Sequence, residues 1–302
     1  MAKVLCWVWL FPFCWGCYSS SNGVEQIIIK GSDTEVNVAL VLAETYMEKE
    51  PNVSIAVTGG GSGTGIAALL SGKTHIANAS RPMTASELAM ARSYGIRPLP
   101  LVFAMDALAI VVNKSNPTDS LTMGELGRIF RGDLNSWAAV GGDSVAFSLY
   151  GRQSNSGTFL FFREKLLGAD YTPALKQMNG TAQIVEAIST DPAGIGYVGV
   201  GYLSTKEGQL PANIKVLKIS EKKGGPAYSP LDEAQILSGH YPVIRPLYQF
   251  IDGEPNGRLL DFLLYSIGEK GQKIVRENGY YPISEQQYAE DMKLMNVEMV
   301  SK

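Results

Sequence analysis

The chain has 302 residues, of which 18% are charged, and its formal net charge is −3. This acidic balance disfavours a nucleic-acid-binding protein, which would normally be basic. It does not exclude a local anion site built from a few backbone N–H groups and one arginine. The length is sufficient for two domains, each with its own core.

The first 16 residues predict an export signal. Lys3 precedes the short apolar run 4–13, which is too short to span a membrane. Cys17 follows a glycine and precedes a polar stretch, which is similar to a bacterial lipoprotein processing site. We therefore predict a signal peptide over 1–16, a lipidated Cys17 with a linker over 17–25, and an exported, lipid-anchored protein. An ordinary cleaved signal with a soluble product is the alternative.

Cysteine and histidine are too scarce for several kinds of site. All three cysteines lie at or before position 17, so at most one thiol remains after processing, and neither a disulfide nor a cysteine-based metal site is expected. His75 and His240 are interpreted as structural or surface residues. With so little imidazole, a Ser-His-Asp enzyme and a histidine-rich metal site are both disfavoured. We predict no catalytic residue, no metal and no cofactor.

From residue 26 onward, strand-like and helix-like segments alternate. The predicted order is strand 27–29, helix 36–49, strand 53–57, helix 66–70, strand 75–77 and helix 84–93. Glu87, three residues after Thr84, predicts a capping box. This alternation predicts a mostly parallel sheet with crossover helices, whose ligand would lie beyond the carboxyl ends of the strands.

A second unit of the same kind follows. It comprises strand 107–112, helix 120–130, strand 145–150, helix 159–167 and strand 195–198, before a final strand 243–250 and helices 257–267 and 269–278. Two α/β units predict a cleft between two lobes. The chain would cross between them near 103–106 and again near 241–248. We therefore expect a discontinuous lobe I, residues 26–104 plus 248–302, and a lobe II of residues 105–247.

The glycine-rich stretch 59–65, GGGSGTG, follows a β-branched strand. Glycine raises the entropy cost of ordering a loop, so this composition indicates that the backbone itself approaches a ligand. Main-chain N–H groups at a strand–loop–helix junction suit an anion. Ser32, Thr34, Ser80, Arg81 and the stretch 152–158 occupy comparable strand ends. Each could instead be a helix cap or a surface charge, but their coincidence favours an anion site.

Several stretches together, in order, resemble the phosphate-binding proteins of bacterial ABC phosphate-uptake systems. They are Gly31–Thr34, GGGSGTGIAALL from Gly59, Ala79–Pro82, Gly151–Thr158 and Gly194–Gly199. The resemblance covers about residues 27–282. It implies the α/β, two-lobed type II periplasmic-binding fold with its ligand cleft between the lobes. It also implies inorganic phosphate as the ligand, delivery to an ABC permease by lobe closure, and no enzymatic activity; we expect a monomer.

Carried over position by position, the resemblance implies a phosphate site. Its residues would be Ser32, Asp33, Thr34, Ser62, Ser80, Arg81, Arg152, Ser156, Gly157 and Thr158. Arg81 stands where the best-known relatives carry an aspartate that accepts a hydrogen bond from protonated phosphate and so rejects sulfate. The candidate acceptor in this chain is Asp33, although its side chain could equally cap the helix beginning near Thr34.

Two other functions stay open on the sequence. The first is a phosphate-ester hydrolase or phosphoryl transferase built on the same loops, although no activated nucleophile or metal cluster is visible. The second is a receptor for another oxyanion, such as sulfate or molybdate, or a surface signalling lipoprotein without a transporter.

Overall fold

The structure is a computed structural model that describes residues 24–203 and 209–297. The predicted signal peptide and Cys17 lie outside these residues. The strands are β1 Glu25–Gly31, β2 Val53–Thr58, β3 Ile76–Ala79, β4 Pro98–Asn113, β5 Ser120–Thr122, β6 Ser148–Arg152, β7 Lys176–Met178, β8 Gly194–Gly199, β9 Ile214–Ser220 and β10 Ile244–Asp252. The helices are α1 Val36–Met47, α2 Ser62–Leu70, α3 Ala85–Ser93, α4 Met123–Arg131, α5 Gly157–Phe162, α6 Thr181–Thr190, α7 Glu233–Leu237, α8 Gly257–Ile267, α9 Glu269–Glu277 and α10 Glu285–Leu294.

The strands form one mixed sheet in the order β2-β1-β3-β10-β4-β8-β6-β7, with β9 paired to β4 and β5 paired to β9. Strand β1 is parallel to both β2 and β3, and β6 is parallel to both β7 and β8. Strands β4 and β10 are antiparallel to each other. Each end of the sheet is therefore parallel, as the alternating pattern predicts, and the antiparallel pair lies between the two ends.

Strand β4 passes from one half of the molecule to the other. Its 16 residues pair with β10 through Ala107 and with β8 from Leu108 onward. Strand β10 makes the return passage, and its register with β4 shifts between Leu247 and Tyr248. The two predicted crossings are thus neighbouring strands of one sheet.

Two large apolar cores lie on either side of this passage. One core draws its buried residues from 27–104 and 247–295. The other draws them from 107–243, together with Tyr281. A smaller cluster, which includes Ile66, Leu69 and Phe250, adds to the first half. Burial of apolar surface in each core supplies the main driving force for folding of that half.

Helix α2 begins four residues before the predicted start. Gly60 and Gly61, at φ of 120° and 101°, make the turn after β2, and Ser62 is already helical. Gly65 is needed for close packing, because a Cβ there would lie 2.4 Å from the carbonyl oxygen of Lys30. Part of the glycine content therefore brings α2 against β1, and only Gly59–Gly61 form the loop.

The middle of the chain departs further from the predicted pattern. Residues 120–122, predicted as helical, pair with β9 as the short strand β5, and α4 begins only after Thr122. A capping box between Thr122 and Glu125 fixes that start. The predicted helix 159–167 begins at Gly157 and widens into a π-helical turn over Arg163–Leu167.

Candidate anion-binding site

The glycine loop of the first half lies directly against the loop after β6 of the second half. The N–H of Gly63 donates to the carbonyl oxygen of Asn155 at 3.0 Å. The Asn155 side-chain amide donates in return to the carbonyl oxygen of Gly60, also at 3.0 Å. Two loops separated by about ninety residues of chain are thus joined by a reciprocal pair of hydrogen bonds.

Hydroxyl groups from both halves converge beside this contact. Thr34 Oγ1 and Thr158 Oγ1 are 2.9 Å apart. The N–H of Ser80 donates to Ser62 Oγ at 3.1 Å, and the two serine hydroxyls are 3.4 Å apart. A Cβ at Gly157 would lie 2.3 Å from Ser62 Oγ and 2.6 Å from Ser80 Oγ. Only glycine at position 157 lets the second half approach these two hydroxyls so closely.

Ser32 and Ser156 complete the set of buried hydroxyls. Ser156 is the N-cap of α5, and its Oγ accepts a hydrogen bond from the N–H of Thr158 at 3.2 Å. The hydroxyl hydrogen of Ser156 is not used in that bond. Ser32 lies at the end of β1, where its N–H donates to the carbonyl oxygen of Asn78. Both serines are almost fully buried.

Arg152 at the end of β6 bonds to Asp33 of the opposite half. Nη1 donates to Asp33 Oδ2 at 2.9 Å and to Thr181 Oγ1 at 2.8 Å, and Nη2 donates to the carbonyl oxygen of Asn179. Nε is buried and has no partner among the described residues. Burial lowers the pKa of Arg152, and Asp33 opposes that shift. The terminal nitrogens thus fix the guanidinium in place, and Nε remains as a buried donor that a ligand could use.

Asp33 does not cap the helix that follows it in sequence. It begins the 3-10 turn Asp33–Glu35, and the N-cap of α1 is Glu35, without a side-chain cap. The Asp33 carboxylate instead accepts a hydrogen bond of 2.7 Å from the N–H of Thr181, the first residue of α6. Tyr202 donates to the carbonyl oxygen of Asp33 at 2.7 Å. Asp33 is therefore bonded mainly to the second half of the molecule.

Arg81 bonds to Glu87 and Pro82 through its terminal nitrogens, and its buried Nε, like that of Arg152, has no partner among the described residues. Its two terminal nitrogens each donate to Glu87 at 2.7 Å, and Nη1 also donates to the carbonyl oxygen of Pro82. Burial alone would raise the pKa of Glu87, but hydrogen bonds from Arg81 and Thr84 outweigh it and lower that pKa. Arg81 makes no hydrogen bond to the other members of the set within the described residues.

The structure adds a charged pair that sequence reasoning missed. Arg245 donates to Asp106 Oδ2 from Nε and Nη2, at 3.0 and 2.8 Å, and both side chains are buried. The sequence does hold a signal for this pair, because Asp106 lies in the predicted crossing 103–106 and Arg245 lies in the predicted crossing 241–248. Both are charges in otherwise apolar strands, where an unpaired charge would be very costly.

Each arginine in and around the cluster is paired with one carboxylate. The pairs are Arg152 with Asp33, Arg245 with Asp106, and Arg81 with Glu87. The buried hydroxyls, backbone N–H groups and the free Nε of Arg152 are hydrogen-bond donors suited to an oxyanion. No group of three or more potential metal-ligating side chains occurs in the described parts of the chain. The arrangement suits anion binding by directional bonds at almost balanced formal charge.

Comparison with known proteins identifies the class. The family model described as a PBP superfamily domain matches residues 18–270. A crystal structure from Clostridium perfringens, described as a phosphate ABC transporter substrate-binding protein with bound phosphate, superposes with a TM-score of 0.74 at 24% identity, over 86% of this chain and all of that one. The chain belongs to the PBP superfamily and has its two-lobed fold, which confirms the predicted fold class.

Sequence similarity places the chain more narrowly. The phosphate-binding protein PstS of Pseudomonas aeruginosa is 34% identical over 285 residues, which cover 88% of this chain and 86% of that protein. An ABC-type phosphate transport receptor from Vibrio cholerae is 26% identical, with a TM-score of 0.67 over 85% of this chain and 100% of that one. Within the superfamily, the chain belongs to the family of the PstS phosphate-binding proteins, as its sequence motifs predict.

Among residues 24–203 and 209–297, no helix is both long enough and apolar enough to cross a membrane.

Proposed function

We propose that this protein binds inorganic phosphate and delivers it to the permease of an ABC transporter. Membership of the PstS family supports this function, as does the similarity to solved structures described as phosphate receptors. The observation within the molecule that carries the proposal is the Arg152–Asp33 bond of 2.9 Å, which joins a predicted phosphate residue of one lobe to one of the other. A cluster of predicted ligands drawn from both lobes is what a closing receptor requires.

Lobe closure is the proposed mechanism of binding. Lobe I is taken as residues 26–104 plus 248–302 and lobe II as 105–247, as the sequence predicts. Ser62, Ser80 and the glycine loop hold the anion on lobe I, and Arg152 with Thr158 reaches it from lobe II. Only the closed form offers both sets of donors, so phosphate shifts the equilibrium towards closure. Arg81 has only its buried Nε left for the anion, because Glu87 already accepts hydrogen bonds from both of its terminal nitrogens.

Asp33 is the proposed acceptor for the proton of phosphate. Its Oδ2 is occupied by Arg152 and Thr181. Its Oδ1 has no hydrogen bond within the described residues, and it lies close to the backbone of Gly59 and Gly180, where a Cβ would be 3.6 Å away. An unprotonated sulfate would face this oxygen without a hydrogen to donate, and the resulting unpaired acceptor would penalise it.

For cellular location, lipid anchoring and oligomeric state, the proposal follows the sequence predictions. The signal peptide over 1–16 and lipidation of Cys17 would place the mature protein on the outer face of a membrane, held by its lipid only. The protein would act as a monomer and would not turn over phosphate esters. Its relatives are named as binding proteins, which supports a binding role. Labelling with radioactive palmitate in cells, lost in a C17S variant, tests the anchor.

Titration calorimetry of the purified protein tests the function. Phosphate, sulfate and molybdate are titrated separately. We expect one phosphate bound per molecule and a much lower affinity for the other two anions. Tight sulfate or molybdate binding without phosphate binding would favour the receptor for another oxyanion. Release of a chromogenic alcohol from a phosphate ester by the same preparation would favour the hydrolase. Absence of phosphate binding by folded protein would reject the proposal.

A further inference from the structure

Arg245 and Asp106 form a fully buried ion pair on the two strands by which the chain passes between the lobes. Their side chains are 1% and 0% exposed. Removing two charges from water is costly, and the mutual attraction repays that cost only when the geometry is good and the remaining polar groups are satisfied. Apolar side chains could fasten β4 to β10 equally well. The ion pair therefore calls for a role beyond joining the strands.

The remaining donors of Arg245 lead to the predicted phosphate residues of lobe I. Nη2 lies 3.4 Å from Thr34 Oγ1, and Nη1 lies 3.4 Å from the carbonyl oxygen of Ser80. Thr34 Oγ1 is in turn bonded to Thr158 of lobe II. One guanidinium, on strand β10, thus contacts two of the loops that carry the candidate site.

Within lobe II, to which Arg245 belongs by the predicted bounds, the same guanidinium also contacts Phe161. Its Cζ lies 5.3 Å from the centre of the Phe161 ring, within the range of a cation–π interaction. Phe161 belongs to α5, which begins at the predicted phosphate residue Gly157. Asp106 makes a parallel link, because its Oδ1 accepts a hydrogen bond from the N–H of Val200 just after β8. The pair therefore touches both lobes.

A second buried acid, Glu35, lies near Arg245 but is not hydrogen-bonded to it within the described residues. Glu35 is 0% exposed, and neither of its carboxyl oxygens has a hydrogen-bond partner among the described residues. Burial raises the pKa of Glu35 well above its usual range, and Ser32 and Arg245 offset only part of that shift. Among the described residues Glu35 makes no hydrogen bond to Arg245, so the orientation of the guanidinium is set by its two bonds to Asp106.

We propose that Arg245, oriented by Asp106, is a positioning residue for the phosphate site that stabilises the closed arrangement. It does so by holding Thr34 and Ser80 of lobe I against Phe161 of lobe II. The inference rests on the proposed function, since it concerns the closed, phosphate-bound form. By the predicted bounds, Asp106 and Phe161 lie on lobe II together with Arg245. When the lobes part, Arg245 therefore keeps both of these partners and loses its contacts with Thr34 and Ser80. The residue therefore acts on the release of phosphate more than on its capture.

The test measures how fast radiolabelled phosphate leaves the purified protein into excess unlabelled phosphate. For R245M we expect release to be faster by roughly tenfold or more, with little change in the association rate. R245K, which keeps the charge but not the planar fork, should lie between R245M and the unsubstituted protein. A merely structural role would lower the number of binding sites per molecule without changing release from those that remain.

A second variant guards against misfolding, because R245M leaves Asp106 buried without its partner. F161L keeps the ion pair and removes only the aromatic face, and release should be faster by about threefold. R258M, in an exposed ion pair of lobe I with Glu50, is the matched control and should leave release unchanged. If phosphate release is unchanged in both R245K and F161L, the proposed role of Arg245 is wrong but the proposed function still stands. No binding by the unsubstituted protein would reject the proposed function, and the inference with it.

Discussion

Arg152 donates a hydrogen bond of 2.9 Å to Asp33, although the two residues are 119 positions apart and lie in the halves that hold the two different cores. The same carboxylate oxygen accepts the N–H of Thr181, so Asp33 neutralises Arg152 and the start of α6 together. The planar guanidinium satisfies Asp33, Thr181 and Asn179 at once, which an ammonium group cannot reproduce in this geometry.

Replacing Arg152 by lysine should therefore weaken phosphate binding by roughly 10- to 100-fold. The charge is retained, but the fork that fixes its direction is lost, together with the free Nε. Calorimetry gives the affinity, and thermal unfolding without phosphate reports on the fold. R131K, in the half-exposed pair with Asp133, should bind as the unsubstituted protein does. Equal affinities for R152K and R131K would contradict the assignment.

Asp33→Asn tests the origin of anion selectivity. The amide nitrogen of asparagine can donate to sulfate, and the loss of one negative charge leaves Arg152 uncompensated. We expect the preference for phosphate over sulfate to fall by about tenfold or more, as one acceptor bond is lost. Competition between the two anions in one binding assay measures this ratio. D119N, at an exposed surface pair with Lys215, should leave the ratio as it was.

Gly157→Ala tests closure. The added Cβ would approach Ser62 Oγ to 2.3 Å, which no relaxed structure tolerates, so the loops after β6 and β2 must separate. Phosphate affinity should fall by roughly tenfold or more while each lobe stays folded. G124A is the matched control, since a Cβ there meets only Thr122 Oγ1 at 4.0 Å. If G157A binds phosphate as tightly as G124A, the lobes do not meet here in the bound form.

Asp291 predicts a pH dependence of stability. Burial raises the pKa of Asp291 from 3.8 to about 6. The folded protein therefore keeps this proton between about pH 4 and 6 while the unfolded chain loses it, so stability falls as pH rises through that window. The shift corresponds to about 3 kcal/mol.

Asp291→Asn removes the titrating group and should abolish that fall. Urea unfolding at pH 4, 5, 6 and 7 should show little difference between the variant and the unsubstituted protein at pH 4 and a growing advantage for D291N towards pH 7. D170N, at a side chain that is 92% exposed, provides the control. Parallel profiles for D291N and the unsubstituted protein would show that Asp291 ionises normally in the folded state.

Local patterns in the sequence predicted the frame of the fold well. The β-branched runs at β1 and β2 and the capping box at Thr84 and Glu87 depend on neighbours within a few positions. The helices α8 and α9 were found nearly to the residue because their amphipathic spacing is strong. The strands β7 and β9 were missed; β7 is only three residues long, and most of its side chains are exposed.

Long-range partners could not be read in the same way. The sequence identified Glu87 as a capping residue, but not that it also accepts hydrogen bonds from both terminal nitrogens of Arg81. Asp106 and Arg245 are 139 positions apart, and neither lies in a glycine-rich or polar motif. Their pairing follows from strand register, which depends on the packing of both lobes. The individual phosphate-site assignments stay predictions until the variants above are measured.

The near balance of charge around the cleft has a consequence for capture in different media. Because every guanidinium there already has a carboxylate neighbour, an approaching anion experiences only a weak long-range attraction. Dissolved salt screens long-range fields far more than short, directional bonds. The rate of phosphate capture by such a receptor should therefore vary little between dilute and brackish surroundings. A site with a large net positive charge would bind phosphate much more slowly at the higher salt concentration.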